Sequence, residues 1–128
     1  MTTRRAALAG LFAFPALASA QEAWPARSLR LISPFPPGGA ADVFALNIAE
    51  ELTPALRQSV VVENRPGAGG NVGTAYAAKA KNDGYTLLVN ADSAQVINPF
   101  LYAKTGFDSV KDFDPVAPLA KAGYVLVA

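Results

Sequence analysis

The residues of this chain that could do chemistry fall in three short stretches. They are Phe35-Pro36-Pro37-Gly38-Gly39-Ala40-Ala41-Asp42, Arg65-Pro66-Gly67-Ala68-Gly69-Gly70-Asn71 and Asn90-Ala91-Asp92-Ser93-Ala94. Each follows a short apolar run and precedes a helical pattern. What they offer is backbone N–H. Glycine permits close approach of a ligand, and the first N–H groups of a helix lack an intrahelical acceptor and favour an anion. A hydrogen bond to a charged group contributes about 1.5–3 kcal/mol net, and a micromolar complex needs about 8 kcal/mol. About four or five such bonds from three loops would therefore hold a carboxylate without a cation.

The side chains argue against catalysis. The sequence contains no histidine and no cysteine, which removes the commonest general base, transition-metal ligand and thiol nucleophile. Ser93 has no base to activate it. Asp108, Asp112 and Asp114 alternate without the Gly and terminal Glu of a calcium loop, as a solvated connection does. No enzyme activity, metal or cofactor is expected.

Several of these residues have a plainer reading beside the functional one. Pro36-Pro37-Gly38-Gly39 serves equally as a stiff β-to-α turn, and Asp42 offsets a helix dipole as readily as it meets a ligand. Arg65 reaches either a ligand carboxylate or Glu63 or Asp42, and the ion pair is favoured. Gly67, Gly69 and Gly73 form a G-x-G-x-x-x-G run with Asp92 about twenty residues on, which raises a Rossmann-like nucleotide-binding enzyme as an alternative. The spacing departs from the dinucleotide fingerprint, and Pro66 intrudes.

The elements that must position these loops follow from periodicity. Leu29–Ser33, Val60–Val62 and Tyr85–Val89 read as strands, the last apolar enough for burial on both faces. Between them, Phe44, Ile48, Leu52 and Leu56 set a helical stripe over 42–56, loosened or ended near Pro54, and 72–80 is a short Ala-rich helix. A further helix is expected from Ala94 to about Asn98, capped by Asp92 or Ser93 and limited by Pro99. Phe107 and Phe113 are expected to pin a charged connection to the core, with strands near Val116–Leu119 and Tyr124–Ala128. Trp24 is expected to lay an aromatic ring onto the domain. The sum is an α/β fold, mainly a parallel sheet with flanking helices, whose three loops meet at the carboxyl edge.

Arg4 and Arg5 precede an apolar stretch and then Ala18-Ser19-Ala20, the order of a secretory signal peptide; Ala6–Ala20 is shorter than the roughly 20 residues a membrane span needs. Residues 1–20 are therefore expected to direct export, by the general or the twin-arginine route. Without the two arginines, 11 basic residues become nine against 10 acidic ones, a charge of −1. That balance gives no overall electrostatic footprint for nucleic acid or an anionic membrane.

Three longer segments carry a resemblance: 30–39 with Asp42, then 60–74, then 83–88, continued by Asn98–Tyr102 and Lys111–Val116. Over residues 21–128 the chain resembles the extracytoplasmic solute-binding receptors of tripartite tricarboxylate transporters, the Bug proteins. The resemblance implies part of the first lobe of a two-lobed, type II-like periplasmic binding protein, monomeric, which captures a small carboxylate and delivers it to membrane permease subunits. It further implies that the ligand is gripped by loop amides and bridging waters at Phe35, Pro37–Asp42, Gly67–Asn71 and Ala91–Ala94. Family members are longer, so the chain is expected to lack the second lobe, as a truncated or a degenerate, non-binding copy. Ser33 stands where the family commonly has Val, and Ala40-Ala41 where Gly, Ser or Thr is frequent.

Overall fold

A computed structural model describes residues 23–121. The expected leader and the strand at Tyr124–Ala128 lie outside the described residues.

Three parallel strands, β1 (Leu29–Ser33), β2 (Val60–Asn64) and β3 (Thr86–Leu88), form one sheet in the order β2-β1-β3. Leu31 lies opposite both Val62 and Leu87, and Ser33 opposite Asn64. Helix α1 (Ala40–Leu56) connects β1 to β2 and helix α2 (Asn71–Ala78) connects β2 to β3. The first crossover runs from β1 out to β2 and the second returns from β2 past β1 to β3, so β1 and β3 flank a point where strand order reverses. Open α/β sheets receive ligands at such a point, beyond the carboxyl ends of their strands.

Strand alternation divides the faces. Leu29, Leu31, Val60, Val62, Leu87 and Val89 share one face with Ala45, Ala49, Ile48, Leu52 and Leu56 of α1. Arg30 points the other way and donates to the Tyr76 hydroxyl of α2 at 2.7 Å. Leu29, Ile32 and Ala45 have no exposed surface, so the core is small but closed at the centre of β1.

Four expectations need correction. The α1 stripe is centred on Ala45 and Ala49, whereas Phe44 is exposed, because small residues let the helix approach the sheet closely. Pro54 does not end α1, which runs to Leu56 and stops where Arg57 turns left-handed (φ 53°). The third helical stretch continues past Pro99: a π-helical turn at Ser93–Ile97 runs into α3 (Asn98–Leu101), and Pro99 sits in the first turn of α3, where its missing N–H costs nothing. Val116–Leu119 forms no strand and is exposed.

Two smaller findings qualify the packing. β3 is half-buried, pairing among the described residues with β1 alone. Phe107 and Phe113 pack edge-to-face on each other at 5.9 Å, outside the main cluster. Trp24 does lie against the domain, its ring 6.1 Å from that of Tyr85.

Candidate functional site

Because all three strands are parallel, the loops after Ser33, Asn64 and Leu88 emerge at one edge, and they touch. A Cβ added at Gly70 in the second loop would lie 3.1 Å from Cβ of Ala94 in the third and 3.2 Å from Cζ of Phe35 in the first. Gly70 is buried with φ +95°, so at this junction only glycine combines the required backbone with the required space. Gly73 serves another purpose. A Cβ there would meet the Arg65 carbonyl oxygen and Pro34 Cα, each at 2.7 Å, so its hydrogen lets α2 seat directly on the backbone of the first two loops.

Asparagine side chains lace the loops together, a role the sequence reading missed. At the end of β2, Asn64 Nδ2 donates to Asp42 Oδ1 at 2.6 Å and to the Phe35 carbonyl at 3.3 Å. Asn98 Nδ2 donates to the Gly69 carbonyl at 3.0 Å and to Asn71 Oδ1 at 2.8 Å. Asn90 Nδ2 donates to Thr74 Oγ1 and Gln95 Oε1, while its Oδ1 accepts from the Ala91 N–H. The available signal was an amide side chain at each loop boundary, where backbone groups need local partners.

Asp42 belongs to this scaffold. Its second oxygen accepts from the Gly38 N–H at 2.8 Å, and the residue is 5% exposed. The hydrogen bond from Asn64, and after it that from Gly38, holds the carboxyl below its ordinary pKa. Arg65 likewise serves structure: its Nε donates to Glu63 Oε1 at 2.7 Å and its guanidinium stacks on Tyr76 at 3.6 Å.

Only some of the expected loop amides are open. Gly38 N–H goes to Asp42, Gly70 N–H to the Gly67 carbonyl, Ser93 N–H to Asp92 Oδ1, and Gly39 N–H makes a long 3.4 Å contact with the Pro36 carbonyl. The N–H groups of Ala40, Ala41 and Gly69 have no acceptor among the described residues, and α1 begins without a side-chain cap. Ser93 Oγ also has no protein partner among the described residues, and Ser93 is half-buried. Phe35 and Ala91 are half-buried, while Pro37, Gly38, Gly39, Ala40, Gly67, Ala68, Gly69 and Asp92 are exposed. Asp42, Gly70, Asn71 and Ala94 are buried beneath them.

This rim carries donors and no acid–base pair, and among the described residues no group of three or more His, Cys, Asp or Glu could hold a metal ion. The parallel α/β fold is that of part of a periplasmic binding protein, as solved structures show. The structure superposes on that of the periplasmic binding protein BugD with a TM-score of 0.66 at 37% identity, over 72% of this chain and 30% of that one. MatC from Rhodopseudomonas palustris, solved with bound malate, gives a TM-score of 0.64 at 33% identity, over 74% of this chain and 32% of its own.

The family model of the tripartite tricarboxylate transporter family receptor matches residues 44–128, and the chain belongs to that family. It is a family of receptors, not of enzymes, which sets aside the nucleotide-enzyme alternative. Protein BugT of Bordetella pertussis is 40% identical over 129 residues, which cover 98% of this chain and 40% of that protein. The chain spans between 32% and 40% of the length of the curated relatives it matches.

Proposed function

We propose that this chain forms the part of a periplasmic receptor that grips one carboxylate group of a small di- or tricarboxylate, acidic amino acid or aromatic acid. The complete protein would pass that ligand to the membrane permease subunits of a tripartite transporter. The observation carrying this reading is the convergence of three loops at Gly70, together with the N–H groups of Ala40, Ala41 and Gly69 that find no acceptor among the described residues. Amides at a helix start match a carboxylate in charge and cost no reorganisation when it arrives. Around them lie Phe35, Pro37, Gly38 and Gly39 of the first loop, Gly67 and Ala68 of the second, and Ala91 and Asp92 of the third. Ser93 Oγ adds a donor from the third loop.

Asp42, Asn71, Gly70 and Ala94 act from beneath, by fixing where the loops stand. Backbone donors recognise the carboxylate and not the group attached to it, so the second lobe would set the choice among acids. The malate bound by MatC is a ligand of this chemistry. Export through residues 1–20 would deliver the receptor to the periplasm.

The test is a thermal-shift and calorimetric screen of the full-length protein against malate, citrate, other di- and tricarboxylates, glutamate and aromatic acids. Saturable binding of at least one acid, with the acid recovered unchanged, is the expected result. A flat response to all of them would reject the proposal.

A further inference from the structure

The outer flank of α2 carries a feature that adjoins the amide rim at Ala68 and Asn71. Two open cavities of about 490 Å³ each adjoin there, sharing Tyr76 and Lys79. One lies between α2 and residues 102–105, bordering the second loop through Ala68 and Asn71, and the other reaches the amino ends of β1 and β3. Arg27, Arg30, Lys79, Lys81 and Lys104 line them, and Arg65 stacks on Tyr76 at 3.6 Å. Nine basic residues follow residue 20, and six of them gather on this flank.

Among the described residues, two carboxylates answer these six cations. Asp83 pairs with Arg27 at 2.9 Å, and Glu63 sits between Arg65 and Arg30. Lys79, Lys81 and Lys104 have no carboxylate within ion-pair distance among the described residues. The flank therefore holds an excess of four positive charges, although beyond its first twenty residues the chain as a whole carries −1. A concave surface of one sign focuses the field on an incoming anion and speeds its capture.

We infer that the α2 flank is a docking groove for an acidic polypeptide segment of a partner protein. The geometry favours an extended chain over a small anion. Lys104 lines one cavity, Lys81 the other, and Lys79 both, so the three ammonium groups are spread over two adjoining hollows. An extended segment places carboxylates on one side every two residues, about 6.6–6.8 Å apart, and would follow the row. Lysine suits this use because its compact charge on a flexible stem adapts to carboxylates at varied positions, without the fixed fork of arginine. A bilayer is a poorer match. Surface-bound proteins bury a broad face of free apolar side chains in it, whereas here the aromatic faces of Tyr76 and Tyr85 are already covered by Arg65 and Arg27, and the large hydrophobics exposed in the lining are Val72 and Tyr102.

The test uses the full-length protein and fluorescein-labelled hexaglutamate, followed by anisotropy. Saturable binding is expected, weakening at least tenfold as ionic strength rises from about 0.01 M to about 0.15 M and the screening length falls from about 30 to about 8 Å. The double variant K79E/K81E should lose at least tenfold in affinity, and K79R/K81R should keep it. An acid identified in the screen above should bind K79E/K81E as it binds the parent, which shows the variant folded, and should not displace the peptide. If no screened acid binds, circular dichroism supplies the folding control and the peptide result stands by itself.

Four results would each overturn the inference. They are absence of peptide binding, binding indifferent to both substitutions, displacement of the peptide by the small acid, and protection of Lys79 and Lys81 from acylation in the unliganded full-length protein, which would mean the rest of the chain covers them. Loss of phosphatidylglycerol-vesicle binding in K79E/K81E without loss of peptide binding would reassign the flank to membrane contact.

Discussion

Replacing Gly70 by alanine puts the convergence of the loops under the most direct stress. The added methyl must be carried at φ +95°, and a left-handed backbone costs an L-residue about 1–2 kcal/mol. It must also sit 3.1 Å from Ala94 Cβ and 3.2 Å from Phe35 Cζ. Both gaps are several tenths of an ångström too short, and overpacking of this order costs about 1–3 kcal/mol. Reduced freedom of the unfolded chain returns about 0.4–1 kcal/mol. We expect G70A to lower the stability of the full-length protein by about 2–4 kcal/mol in urea denaturation, and to weaken carboxylate binding because Phe35 is pushed outward.

The origin of that loss can be isolated. Ala94→Gly removes the methyl that faces Gly70, so in the double variant the crowding falls while the dihedral strain stays. A double-mutant cycle should therefore show a favourable coupling of about 0.5–3 kcal/mol. G70A at parental stability, or zero coupling with A94G, would mean that the second and third loops do not meet as described.

Asn98→Ala removes donors to the Gly69 carbonyl and Asn71 Oδ1; we expect a loss of about 1–3 kcal/mol together with weaker acid binding, and unchanged urea midpoints would contradict the lacing role. Ser33→Ala deletes a fully buried hydroxyl with no hydrogen-bond partner among the described residues and should raise stability by about 1 kcal/mol, so a clear loss in the same titration would refute it. Asp42 has its pKa lowered on folding, chiefly by Asn64, so its contribution is present above the ordinary carboxylate range and disappears as pH falls from about 4 through the lowered value. Asn64→Ala should therefore flatten the acid limb of the stability curve below about pH 4, and an unchanged limb would show that the hydrogen bond is not made.

Much of the fold could be read from the order of residues because local and global preferences agree. The β-branched run at Val60–Val62, the glycines after it and the turn at Asn82-Asp83-Gly84 each allow one plain element, and the sheet contains them. Parallel pairing then brought Gly70, Phe35 and Ala94 together as the loop positions required. What stayed hidden depended on distance. Phe44 outranks Ala45 in hydrophobicity, yet close helix-to-sheet approach selects the alanine.

Pro99 looked like a terminator, although a proline in the first turn of α3 is compatible with a continuing helix. Nor does composition reveal which amides are spent inside their own loops. Gly38 and Ser93 looked free, and their N–H groups go to Asp42 and Asp92, leaving Ala40, Ala41 and Gly69 open. The cationic flank was invisible for the same reason, since Arg27, Arg65 and Lys104 are far apart in sequence and a near-neutral total charge concealed their convergence.

The central claim is that backbone nitrogen at one rim holds a carboxylate. A crystal structure of the complete protein grown with the acid selected by the binding screen tests it directly. A ligand oxygen should lie about 2.7–3.2 Å from the nitrogen of Ala40 or Ala41 and from that of Gly69. A carboxylate held instead by lysine or arginine side chains, with those amides facing solvent, would contradict the account.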